Sequence, residues 1–267
     1  MKRKHLAKWL LVAAFFYLPF QSMAWGLLGH RITAEIAESY LSPAAKKAIK
    51  DILGNESMAM TSNWADFVKS DTAYRYLYNW HFMNLNDGIN SYQEMQDYLK
   101  KDTIVDSYTR LNFLIKELKN KNLAKDKKLL YLRLLIHIVG DMHQPMHFGR
   151  ESDYGGNKIK VIWFAEATNI HSVWDEKLID FQQLSYTEYT KAINYVTPTQ
   201  KAEWQKQPIS EWIYESYALS RKIYEDIKQP EQKLSYRYNF EYLSTINNQL
   251  LKGGIHLAAL LNEIFDK

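Results

Sequence analysis

The sequence predicts a mostly α-helical fold: one bundle-like domain with a small irregular or β element near residues 150–165. Three observations predict it. Apolar residues recur at helical spacing along much of the chain. The only hairpin signal lies around Tyr154-Gly155-Gly156-Asn157 and Lys158 to Phe164. No repeat, low-complexity tract or linker divides the chain, and its length suits a single full core.

The elements follow in order. Lys2, Arg3, Lys4 and Lys8 form a basic start, and an apolar stretch runs from Trp9 to Phe20. That stretch is shorter than the ~20 residues that span a bilayer. Ser22-Met23-Ala24 then resembles a signal-peptidase site. Residues 1–24 therefore read as a signal peptide, and residues 25–267 as the functional domain, with Trp25 at the mature N-terminus. An uncleaved anchor is disfavoured by the short apolar run. Ser42-Pro43, followed by Ala44, Ala45, Ala48, Ile49 and Ile52 and stopped by Gly54, is a capped helix. Leu111, Leu114, Ile115 and Leu118 mark a second helix. Leu129, Leu132, Leu135, Ile136 and Val139 mark a third, which should run close to Gln144-Pro145. A last long helix is expected over Tyr242, Ile246, Leu250 and Leu257 to Phe265, interrupted at Gly253-Gly254.

Charge and cysteine content limit the chemistry. The chain has 34 basic and 30 acidic residues. Removing the four basic residues of the signal segment leaves 30 against 30, so the mature chain is formally neutral. A phosphate ligand would then have to be attracted by a local patch or by bound metal. With no cysteine, disulfides and thiolate sites are excluded. Any metal must use His, Asp, Glu or backbone ligands, and the composition suits an exported protein that needs no covalent staple.

The strongest chemical signal is Ile136-His137-Ile138-Val139-Gly140-Asp141-Met142-His143-Gln144-Pro145-Met146-His147. His137 and Asp141 are four apart, so on a helix they share one face and can hold one metal. Pro145 should end that helix, with His147 in the turn beyond. His171 and Asp175 repeat the spacing. Such a pair is more often a solvated salt bridge, but the first pair lies in a strongly apolar helix, where a buried imidazole and carboxylate need a partner. Trp25-Gly26-Leu27-Leu28-Gly29-His30 adds an imidazole and, after cleavage, a free α-amino group whose pKa near ~8 lets a metal deprotonate it. Asn63-Trp64-Ala65-Asp66 and Asn79-Trp80-His81-Phe82 add a carboxylate and an imidazole. His5 leaves with the signal, His256 reads as a core or surface histidine, and His143 lies off the face that carries the pair.

Taken in order, Trp25, His30, Asp66, His81, His137, Asp141, His147, His171 and Asp175 resemble the zinc-dependent single-strand-specific nucleases of fungi, plants and bacteria. The markers are an N-terminal Trp-Gly-x-x-Gly-His, a Trp-Ala-Asp, a His-x3-Asp-x5-His, and Gly-Gly-Asn followed by His-x3-Asp. They run from Trp25 to about Asp180, and the tail beyond carries no such motif. The resemblance implies three zinc ions. Asp66, His81, His137 and Asp141 would hold the first. The Trp25 amino nitrogen and carbonyl oxygen, His30 and a bridging Asp141 would hold the second. His147, His171 and Asp175 would hold the third.

The resemblance further implies metal-assisted, in-line hydrolysis of phosphodiester bonds to 5′-phosphate products, with 3′-nucleotidase activity as a second possibility. Asp66, Lys69 and Asn157 become candidate catalytic residues, the last two also matching phosphate-holding positions. For Lys69 a solvated helix face, and for Asn157 a turn after two glycines, are equal alternatives. Phe82, Asn84 and Asn157 become candidate substrate-binding residues. Asn84 stands where the fungal and plant relatives carry aspartate. Single-stranded DNA and RNA and nucleotides are the expected partners of an exported, periplasmic or secreted monomer with no stable membrane partner. Two other readings stay open: a zinc-dependent phospholipase C, which shares the His-x3-Asp-x5-His but typically ends in Glu where this chain has Asp175, and a non-catalytic zinc-binding protein. The residues 150–158 are polar and mixed in charge, unlike a lipid-docking face.

Overall fold

A computed structural model describes residues 25–266; the expected signal segment with His5, and Lys267, lie outside the described residues. Helix α1 (Leu27–Ser39) opens the domain. Helix α2 (Pro43–Leu53) has the ends its sequence predicts: the Ser42 hydroxyl accepts from Ala45 N, and Gly54 closes the helix at φ 68°. Two single turns follow, α3 (Met58–Thr61) and α4 (Trp64–Phe67), then a 3-10 helix, Thr72–Trp80. Next come α5 (Tyr92–Leu99), α6 (Ser107–Leu118) and α7 (Lys125–Asp141). Helix α8 covers residues 170–180 and has a π-helical turn at Val173–Lys177. The chain ends with α9 (Tyr186–Ile193), α10 (Pro198–Trp204), α11 (Ile209–Asp226) and α12 (Tyr236–Phe265). No helix among the described residues is long and apolar enough to cross a membrane.

Three expectations are corrected. Helix α7 stops at Asp141 rather than near Pro145, because the chain tightens there: His143 N bonds to Gly140 O and Gln144 N to Asp141 O, both at i−3. Pro145 instead opens a separate 3-10 turn, Pro145–Phe148, which carries His147. The last helix is not interrupted. It runs through Gly253-Gly254, because these glycines let α12 approach α1. A Cβ on Gly254 would lie 3.0 Å from Thr33 O and closer still to Ile36, and one on Gly253 would lie 3.1 Å from Thr33 Cγ2. Finally, the hairpin turn is not at Gly155-Gly156. Strand β1 (Lys160–Trp163) pairs antiparallel with β2 (Glu166–Asn169), and β3 (Gln232–Leu234) adds in parallel, in the order β2-β1-β3. The two glycines, at φ 63° and 87°, form instead an irregular loop beside the site.

The buried apolar residues fall into two clusters. One joins α2, α5, α6 and α7, and the other joins α8, the sheet and the first half of α12. Helix α1 feeds both, through Ala34 and Ala37 on one side and Ile32 and Ile36 on the other. A histidine one turn earlier on α1, His30, is thereby held in the interior.

Candidate metal centre and cleft

The structure brings His30, Asp66, His81, His137, Asp141, His147, His171 and Asp175 together in the interior, each no more than 7% exposed. They form three groups whose potential ligand atoms lie within 4.8 Å of one another: His30, His137 and Asp141; Asp66, His81 and His137; His147, His171 and Asp175. Each i,i+4 pair predicted from spacing is formed. His137 Nε2 lies 3.1 Å from Asp141 Oδ2, and His171 Nε2 lies 3.0 Å from Asp175 Oδ2.

Asp141 is divided between two groups. Its Oδ2 lies 3.1 Å from both His81 Nδ1 and His137 Nε2, while its Oδ1 faces His30 Nε2 at 3.3 Å. Asp66 faces the first of these groups, with Oδ1 3.6 Å from His137 Nε2. Lys69 Nζ lies 2.6 Å from the same oxygen, without hydrogen-bond geometry.

Backbone carbonyls orient the rings. His137 Nδ1 donates to Ser62 O at 2.6 Å, His147 Nδ1 to His81 O at 2.5 Å, and His171 Nδ1 to Gly155 O at 2.7 Å. A carbonyl can only accept, so each Nδ1 carries a proton, and Nε2 is the nitrogen left to face the centre and ligate a metal. Gln144 braces the third group: its amide nitrogen donates to Asp175 Oδ1, and its oxygen accepts from Met146 N at 2.5 Å.

The residues fit metal ions. Seven buried atoms here have no hydrogen-bond partner: His30 Nδ1 and Nε2, both Asp66 oxygens, Asp141 Oδ1, His147 Nε2 and His171 Nε2. Each buried polar atom left unsatisfied costs about 1–3 kcal/mol. Bound cations remove that cost, and the donor set of imidazole and carboxylate suits zinc. The charges point the same way. Burial alone would raise the Asp66 carboxyl, but His137 and Lys69 outweigh it and hold it at about 2. Asp141 and Asp175 are likewise held below the usual range against burial, Asp141 by His137 and His147, Asp175 by His171 and His147. Burial, with His137, lowers His30; burial, with Lys69, lowers His81 to about 4. Both rings are therefore set up as neutral donors, the form that ligates a metal.

Trp25 is fully buried at the edge of the same centre. Gly26 N donates to Asp175 O at 2.8 Å, which ties the start of the domain to the third group. A Cβ on Gly140 would lie 2.8 Å from His30 Nδ1 and 3.7 Å from Trp25 Cδ1, so α7 can approach α1 only through a glycine.

A cleft opens onto the centre. His81, His147 and His171 line its floor, and Lys69, Phe82, Asn84, Tyr154 and Asn157 line its walls, together with Tyr78, Asn79 and Glu151. Lys69 is therefore not on a solvated helix face. Asn157 serves its loop as well, donating to Tyr154 O at 2.7 Å. His143 points away: Nδ1 donates to Val139 O at 2.8 Å, and Nε2 lies 2.7 Å from Nδ1 of the buried His256. It is a core histidine.

Sequence reasoning missed several contributors. The carbonyls of Ser62, His81 and Gly155 carry no side-chain signal. Gln144 lies inside the strongest motif, but a glutamine is not among the residue types that signal a metal ligand. Tyr224, from the tail, donates to Asp153 Oδ1 at 2.7 Å, and the same oxygen accepts from Gly156 N at 2.6 Å. The tail thus holds the loop whose Gly155 carbonyl orients His171.

The S1/P1 Nuclease family description matches residues 25–266, so the likeness extends through the tail and not only to Asp180. Endonuclease 3 of Arabidopsis thaliana is 29% identical over 267 residues, covering 91% of this chain and 90% of its own length. Nuclease P1 of Penicillium citrinum is 29% identical over 266 residues, covering 90% of this chain and 97% of its own length. Nuclease S1 of Aspergillus oryzae is 30% identical over 175 residues, covering 62% of this chain and 58% of its own.

Proposed function

The chain belongs to the S1/P1 nuclease family and is a phosphodiester hydrolase, and from that membership we propose an exported, zinc-dependent endonuclease that cuts single-stranded DNA and RNA to 5′-phosphate products. The observation that carries the proposal is Asp141, with one oxygen turned to His81 and His137 and the other to His30. A carboxylate placed so can bridge two cations, the arrangement that serves in-line displacement at phosphorus.

Asp66, His81, His137 and Asp141 would hold one zinc; the Trp25 amino nitrogen and carbonyl oxygen, His30 and Asp141 a second; His147, His171 and Asp175 a third. When bound, the ions lower the pKa of water and neutralise charge on phosphoryl oxygens. Three dications against three aspartates would leave a net positive centre in a chain that is neutral without them, so phosphate would be drawn to the cleft. Lys69 and Asn157 stand in the cleft wall as donors for phosphate oxygens. Phe82 offers a face to a base, and Asn84 offers both a donor and an acceptor to its edge. A cleft that reaches His81, His147 and His171 supports catalysis over a closed structural site.

Residues 25–267 prepared without the signal segment should convert single-stranded DNA and RNA to 5′-phosphate products, lose activity to a chelator and regain it with zinc. Hydrolysis of phosphatidylcholine without release of nucleotides would overturn the assignment.

Asn84 yields a second test. Its Oδ1 lies against Gly155, 3.3 Å from where a Cβ would stand. Aspartate there could only accept. Asn84→Asp should shift the relative cleavage rates among the bases by roughly 2- to 10-fold, the worth of one net hydrogen bond. Identical cleavage patterns for both proteins on mixed-sequence strands would remove this residue from base reading.

A further inference from the structure

Two aromatics at the cleft beside Phe82, Tyr78 and Tyr154, hold no part of the candidate centre, and Tyr78 is the one whose ring meets Phe82. Tyr78 lines the cleft yet is 63% exposed. Its place follows from the 3-10 helix Thr72–Trp80, whose three-residue period puts residues i and i+3 on one face. Leu77 and Trp80 share the face that is buried. Tyr78 shares the next face with His81, which caps the helix, and both line the cleft. The helix is anchored from behind, where Trp80 packs edge-on against Phe113 with Arg110 over its ring. Tyr78 is thus held by a fixed element beside a candidate ligand.

Its ring stands edge-to-face with Phe82, with centroids 5.5 Å apart and planes at 81°. In such a pair each ring keeps at least one face free of the other. Two bases stacked on the two rings would lie nearly at right angles. Adjacent bases in a duplex lie parallel, so a duplex cannot occupy both platforms without unstacking, whereas a single strand can splay them at little cost. We propose that Tyr78 is a second base platform, set perpendicular to Phe82, which receives the nucleotide next to the one on Phe82 and so contributes selectivity for unpaired strands. The inference rests on the nuclease reading and deepens it: it assigns to one residue the discrimination between single strands and duplex.

The test compares wild type, Tyr78→Phe and Tyr78→Ala on three substrates. These are a single-stranded oligonucleotide, a duplex of the same sequence, and the methyl ester of a nucleoside 3′-phosphate, which carries one base. Tyr78→Ala should lose roughly 5- to 100-fold in kcat/KM on the single strand, the range expected for one stacked base. Most of the loss should appear in KM, with a smaller loss on the one-base ester and a reduced ratio of single-strand to duplex cleavage. Tyr78→Phe should restore that ratio, because stacking needs the ring and not the hydroxyl. An unchanged ratio in Tyr78→Ala overturns the proposal. So does an equal loss on the oligonucleotide and the one-base ester, which would make Tyr78 a support for Phe82. If wild type cuts no nucleic acid, the nuclease reading itself fails and this inference falls with it, an outcome distinct from the other two.

Discussion

Asp141→Ala should remove more than one equivalent of metal and cost more activity than Asp66→Ala or Asp175→Ala. The reason is positional. Asp66 and Asp175 each belong to one group, whereas the Asp141 carboxylate turns one oxygen to His81 and His137 and the other to His30. Its loss also removes the charge closest to three imidazoles: His81 and His137, both 3.1 Å from Oδ2, and His30, 3.3 Å from Oδ1. Removing a residue that merely orients a ligand costs roughly 10- to 100-fold in metal affinity or activity. The loss of a bridging ligand should exceed that. Elemental analysis of folded Asp141→Ala protein decides the matter: a variant that keeps three zincs has no bridging carboxylate at this position.

Much of this centre could be read in the sequence, and the limits of that reading have physical causes. The i,i+4 spacings of His137 with Asp141 and His171 with Asp175 fix a shared helix face whatever the rest of the fold does. Spacing alone cannot say that His30, from the first helix, meets Asp141, from the seventh, because that contact depends on how two helices cross. The order of the nine residues carried that step, through the family resemblance. Three of the groups that orient imidazoles are backbone carbonyls, and any residue could supply them. Tyr78 carries no local signal either, because only the placement of its helix beside the cleft sets it apart from any exposed tyrosine.

The fold shows the same division. Ser42 and Gly54 mark the ends of α2 locally, since a side-chain cap and a left-handed residue act within one turn. Gly253-Gly254 reads as a breaker for the same local reason, yet the helix continues. The packing of α1 against the two glycines outweighs their unfavourable helix propensity, about 1 kcal/mol each against alanine. Here a tertiary contact decides what propensity alone would decide otherwise, and one sequence without its neighbours cannot show the contact. The Tyr224–Asp153 bond is of the same kind: it joins a tail without motifs to the loop that orients His171.

A protein whose chain continues before Trp25 should lose a zinc ligand and, with it, most of its activity. Two observations place the start of the domain at the centre. Trp25 is fully buried, and Gly26 N is bonded to the carbonyl of Asp175, itself a candidate ligand. Gly26 leaves little freedom to rearrange, since a Cβ there would come within 2.5 Å of Glu176 Cγ and 3.0 Å of Asp175 O. A peptide nitrogen at Trp25 has its lone pair delocalised into the carbonyl and is a poor ligand. A terminal amine has a free pair once deprotonated, and its ordinary pKa of about 8 is low enough for a metal to displace the proton at neutral pH. Buried as an ammonium it would be costly; buried as a ligand it is compensated. Protein beginning at Trp25 should therefore bind about one zinc more than protein with a single methionine before it, and be more active by on the order of 100-fold or more, since the change removes a ligand and not merely a residue that orients one. Acetylating the Trp25 amino group should have the same effect as the extra methionine, because both convert amine to amide without altering any side chain. Equal zinc content and equal turnover in the extended and the trimmed proteins would show that the centre is complete without the amine, and would leave His30 and Asp141 to hold the second ion alone.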